Sequence, residues 1–115
     1  MPNIEIVTQK ISLERLKELA QEVFGDMVKV VVDVERAIMA AGGEMHADCE
    51  QILLENGSTQ EDLWGANIYP DSTGEDFIEY QSLINIRPRV GNRGMEIEDE
   101  AIRSKVKAVI EQLVQ

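Results

Sequence analysis

A chain of 115 residues with 43% hydrophobic and 29% charged residues sits in the range of one folded domain and can bury roughly 65% of its unfolded surface. Eleven Lys and Arg stand against 22 Asp and Glu, a net charge of −11, which lacks the basic footprint of a nucleic-acid binder and disfavours anionic membrane surfaces. No apolar run approaches the ~20 residues of a membrane span, and the opening MPNIEIVTQK has neither the basic nor the apolar region of a secretory signal.

One domain over residues 1–115 is therefore expected. A lone cysteine, Cys49, cannot form an internal disulfide, which fits a reducing cytoplasm. IEIV, residues 4–7, reads as a short edge strand. Ser12 can cap a helix whose apolar positions, Leu13, Leu16, Leu19, Ala20, Val23 and Phe24, share one face, and Gly25 stands where a helix ends.

The next segment, MVKVVVDVERAIMAAGG, carries two periods at once. Val28, Val30, Val32 and Val34 alternate as in a strand, whereas Met27, Val30, Val31, Val34, Ile38 and Ala41 recur as in a helix. The helical reading accounts for the whole length 27–41 and makes Gly42-Gly43 its stop. The β-branched run is the feature that opposes it. From Met45 to Leu54 the pattern alternates, and Asn56-Gly57 follows, a strong hairpin signal. A two-residue loop there would set Cys49 opposite Trp64, Ala47 opposite Ala66 and Met45 opposite Ile68, all on one face.

After a loop at 70–76, a third long strand is expected from Phe77 to Arg87, ended by Pro88. Its register would place Tyr69 against Phe77, Asn67 against Glu79 and Thr59 against Arg87. Asp99 can cap a last helix with Ile102, Val106, Val109, Ile110 and Leu113 on one face. The expected class is α+β: a two-layer domain in which a three-stranded antiparallel meander, with the short N-terminal edge strand, is covered on one face by three helices. The other sheet face would stay open, with Ile52, Leu54, Leu63 and Leu83 at its centre.

Two constellations could carry chemistry. His46, Asp48 and Glu50 would project from the open face at alternate strand positions, with Asn67 beside them, a candidate polar surface for acid–base work or a divalent metal. Three ligands on one strand span ~13 Å, too far for one metal with ~2 Å bonds, so no metal is expected from this chain alone. The second is NIRPRVGNRG, where Asn85, Arg87, Arg89, Asn92 and Arg93 put three of six arginines into seven residues. Guanidinium forks and a glycine turn suit one small anionic ligand, although the phosphate-loop pattern is absent; the same arginines could instead neutralise Glu55, Glu61 or Asp62. In the expected register the two constellations lie ~26 Å apart within one chain and could meet only across a dimer. Cys49 is expected to be a buried small hydrophobe and Trp64 a core anchor.

The stretches GGEMHAD, GSTQEDLWGANIYP and SLINIRPRVGNR together resemble a family of short uncharacterised bacterial proteins, a domain of unknown function frequent in cyanobacteria. The resemblance spans nearly the whole chain. It implies a small stand-alone domain and carries no activity, substrate or cofactor. The function expected from the residues is a homo-oligomeric, dimeric binding or assembly module with an anion site at Arg87–Arg93 and no cofactor. The alternative is a small hydrolase or lyase whose His46, Asp48 and Glu50 act across a dimer.

Overall fold

A computed structural model describes residues 2–115. The class is the expected one, α+β with an antiparallel sheet and three helices, but the sheet has five strands. In chain order the elements are β1 (Ile4–Val7), α1 (Leu13–Val23), β2 (Val28–Asp33), β3 (Ile38–Gly42), α2 (His46–Glu55), β4 (Leu63–Ile68), β5 (Ile78–Glu79) and α3 (Glu100–Leu113). The strands lie in the order β1-β3-β2-β4-β5, with every neighbouring pair antiparallel.

The expected helix over 27–41 is a β-hairpin. β2 occupies the middle of the sheet and is covered on both faces, so Val28, Val30, Val31, Val32 and Asp33 are all buried. A strand buried on both sides shows a continuous apolar run, which also satisfies a helical period, and β-branched side chains then favour the strand. Asp33 builds the turn: its Oδ1 accepts from the backbone N–H groups of Glu35 (2.9 Å) and Arg36 (2.8 Å), and its Oδ2 accepts from the Ser58 hydroxyl at 2.6 Å. Gly42 is not a helix stop. It ends β3 at φ 115°, and a side chain there would collide with the Asn3 carbonyl, where β1 enters the sheet.

The expected strand over 45–54 is α2. His46, Cys49 and Leu53 are its buried positions, at helical spacing. Asn56-Gly57 closes this helix instead of turning a hairpin: Gly57, at φ 103°, donates to the Leu54 carbonyl (3.2 Å) and Ser58 to that of Leu53 (2.9 Å). The positive φ that serves a hairpin serves a helix end equally well. Trp64, Ala66 and Ile68 consequently pair with Val32, Val30 and Val28 of β2, not with residues 45–49.

The helices divide between the two faces. α1 and α3 cover the face carrying Val30, Val32, Met39, Ala41, Trp64 and Ile68. α2 covers the other, packing Cys49 and Leu53 onto Val31, Ala40 and Leu63. The second face is therefore closed, and of its expected apolar cluster only Leu83 remains exposed; Leu63 is buried, and Ile52 and Leu54 are half-buried. Trp64 and Cys49 are core residues as expected. The end helices also match: the Ser12 side chain accepts from the Arg15 N–H (3.1 Å), and that of Asp99 from Ala101 (2.8 Å). No helix among the described residues is long and apolar enough to cross a membrane.

Candidate functional site

The third expected strand, 77–87, pairs as a strand only at Ile78–Glu79, where the expected register holds: Asn67 faces Glu79, and Tyr69 donates to the Phe77 carbonyl at 2.9 Å. Beyond it the chain leaves strand geometry and becomes a latch along the outer edge of β4. In an antiparallel ladder alternate residues turn their backbone groups to one side, here Leu63, Gly65 and Asn67. Asn67 meets β5. Gly65 meets the side chain of Asn85, whose Oδ1 accepts from the Gly65 N–H (2.8 Å) and whose Nδ2 donates to the Gly65 carbonyl (3.0 Å) and to that of Met95 (3.1 Å). The carbonyl of Leu63 meets Arg87. A side-chain amide carries the same donor and acceptor as a peptide, so Asn85 substitutes for one residue of a missing strand.

Asn92 holds the latch itself. Its backbone pairs with Arg87 in both directions (2.6 and 3.1 Å), its Nδ2 donates to the carbonyls of Asn85 and Glu96 (both 2.8 Å), and its Oδ1 accepts from the Glu98 N–H (2.8 Å). Asn85 and Asn92 are thus buried structural groups. Arg87 is half-buried: its guanidinium lies 4.7 Å from the Trp64 ring and 3.8 Å from Glu50 of α2. Burial pulls its pKa below the ordinary value and Glu50 opposes the fall; an arginine keeps its charge regardless. Of the five residues expected to form an anion site, Arg89 and Arg93 remain exposed.

His46, Asp48, Glu50 and Asn67 do not line one strand. His46 opens α2 and is buried, Asp48 is exposed on the next part of the turn, and Glu50 faces Arg87. The structure does bring His46 to the same end of the sheet as Asn67. There Lys29, Asn67 and Glu79 form a row across β2, β4 and β5, and Glu79 accepts from the Asn67 amide (2.9 Å) and the Tyr69 hydroxyl (3.2 Å). Lys29, Tyr69 and Glu79 were not among the expected site residues. Lys29 comes beside Asn67 through the pairing of β2 with β4, two strands that are not consecutive in the chain.

The His46 Nε2 lies 2.8 Å from the Ala66 carbonyl, so it carries the proton in the neutral ring. A base or metal-ligand role would have to use Nδ1. Burial lowers the His46 pKa below 6.5, with Lys29 acting in the same direction, while the bonds to Ala66 and Asn67 pull it back up. A base with a lowered folded pKa leaves the unfolded chain binding more protons just below 6.5. Its stabilising contribution is complete above about pH 6.5 and is lost as pH falls through the folded value. Unfolding free energies from urea titration should fall over that window, by at most ~1.4 kcal/mol per pH unit from this group, and His46→Gln, which keeps a donor for Ala66, should flatten this part of the profile. An unchanged slope in the variant would show that His46 does not titrate differently on folding.

Cys49 is fully buried and donates to the Gly42 carbonyl at 3.2 Å; desolvation and then Asp48 push its thiol up to about 12, so it holds no thiolate near neutrality. Among the described residues no three His, Cys, Asp or Glu side chains gather closely enough to hold a metal ion. No curated protein and no solved structure matches the chain. A family model described as "Protein of unknown function (DUF5674)" matches residues 5–113, almost the whole of this sheet-and-latch architecture, and the chain belongs to that family.

Proposed function

We propose that the protein is an assembly module that pairs with a second copy of itself through the latch segment 83–95. The observation that carries this reading is the side chains the latch turns outward. Leu83 is 71% exposed and Val90 63%, and Ile86 and Met95 are exposed as well, so this segment holds four of the seven large exposed hydrophobics among the described residues. Arg89 and Arg93 stand exposed among them in a chain of net charge −11. Aliphatic residues with an arginine rim are the composition of a contact surface, and a second copy offers the complementary surplus of carboxylate. The segment is also rigidly held, because Asn85 and Arg87 tie it to β4 and Asn92 braces it internally, so little ordering cost accompanies docking.

Light scattering behind a sizing column tests this. The expected mass is twice 12.9 kDa, with association weakened but not abolished in high salt, since screening acts on the arginines and not on the aliphatic contact. Val90→Glu should shift the mass to a single copy. A single-copy mass for the unaltered protein at every concentration would overturn the proposal, as would an unaffected Val90→Glu dimer.

A further inference from the structure

The latch segment cannot reach a receiving surface on its own chain, because it is fixed along the edge of β4. A second copy offers one surface of matching chemistry. A groove of about 1010 Å³ runs between β5 with its flanking residues and α3. Its floor is apolar: Phe77, Ile78 and Tyr80 line it half-buried. Its carboxylates outnumber its cations six to two. One of those cations, Arg103, is already engaged, 4.7 Å over the Tyr80 ring and 4.0 Å from Glu96, which leaves Lys107.

The strand edge along this groove is also open. Tyr69 bonds to Phe77, so in the antiparallel alternation Phe77 and Glu79 turn their backbone groups toward β4 and Ile78 turns its N–H and C=O outward into the groove. Further along, the edge is closed by the chain itself: Ile97 donates to the Tyr80 carbonyl (3.1 Å) and Ser82 to that of Met95 (3.0 Å). An occupant would therefore meet an apolar floor, an acidic rim and a short unpaired piece of backbone.

We infer that the tip of the latch, Arg89 to Arg93, seats in this groove of a second copy, Val90 on the aromatic floor and the two arginines on the acidic rim. This rests on the self-association proposed above and names its two halves. Latch and groove are neighbours in the chain, joined through Gln81 and residues 95–97, so a twofold pair makes the contact twice, each copy giving its latch and receiving the other's.

Charge reversal in the full chain tests it. Glu75 and Glu111 line the groove, are exposed and make no ion pair among the described residues, so Glu75→Lys with Glu111→Lys leaves the core untouched. That pair of changes, and separately Arg89→Glu with Arg93→Glu, should each raise the dimer dissociation constant at least ~10-fold, since each sets like charges face to face. All four changes in one chain should bring it back to within roughly threefold of the unaltered protein, because the reversed charges again match. Circular dichroism of each variant shows that the fold is kept. If the unaltered protein dimerises but the groove variant does so equally well, the groove is wrong and self-association survives. If the fourfold variant stays weakened like its parents, latch and groove do not face each other. A monomeric unaltered protein would remove both proposals together.

Discussion

Replacing Asn85 with alanine should cost about 3 kcal/mol or more, with the melting temperature falling by roughly 10–15 °C. Asn85 is fully buried, and one amide serves three backbone groups: the N–H and C=O of Gly65 and the C=O of Met95. Truncation leaves the N–H and C=O of Gly65 in the interior without a partner, while the Met95 carbonyl keeps only the Ser82 N–H; each orphaned group costs about 1–3 kcal/mol, offset to the extent that water follows the missing side chain. Asn85→Asp discriminates between a packing role and a hydrogen-bonding role. It preserves the volume and the acceptor for the Gly65 N–H, but it removes the donor and sets a carboxylate beside two carbonyl oxygens. Urea unfolding of both variants should therefore show comparable losses. A loss below about 1 kcal/mol for the alanine variant would mean that the edge of β4 does not depend on this amide.

Gly65→Ala should act on the same joint from the opposite side. A methyl group at Gly65 would fall onto the Cβ of Ser82 and within 2.6 Å of its hydroxyl oxygen, with the His46 ring at 3.2 Å. Ser82 has little room to retreat: it is buried, its N–H donates to Met95 (3.0 Å) and its hydroxyl accepts from Ile84 (3.2 Å). Overpacking at such a site costs about 1–3 kcal/mol, and here it also pushes the latch away from β4. Ser82→Gly removes the obstructing atoms, so the double variant should recover at least ~1 kcal/mol relative to the sum of the two single changes. Strict additivity in a double-mutant cycle would show that the added methyl is accommodated elsewhere.

Residues that act locally were readable from the chain, and those whose role depends on a distant partner were not. Ser12 and Asp99 cap the first and last helices as their sequence context says, since a cap needs nothing beyond three residues. The register Asn67–Glu79 was readable because a short loop joins the two strands. The order of helix and strand between residues 27 and 55 was not. Its decisive fact is that β2 is central and buried on both faces, which depends on where α2 lies, and α2 was itself disguised by the alternation of Met45, Ala47 and Cys49. The candidate site suffered in the same way. Arg87 looked like a free cation because the carbonyl, the ring and the carboxylate that hold it come from Leu63, Trp64 and Glu50, all more than twenty residues upstream. Asn85 and Asn92 carried a local signal, the ability of a short amide to imitate a peptide, but nothing in the segment says which backbone they imitate it for.

Closing the rest of β4 with a guanidinium and an amide, in place of a longer β5, also bears on what the folded molecule does in a crowded solution. A bare strand edge is a template: any extended chain that drifts past finds a regular row of donors and acceptors and can begin to aggregate on it. Along Leu63 and Gly65 that row is already spent on groups that are not a strand, fixed by charge, ring contact and amide geometry, and they present no edge of their own onto which a further strand could add. The sheet thus ends there without passing its unpaired edge on to the next chain.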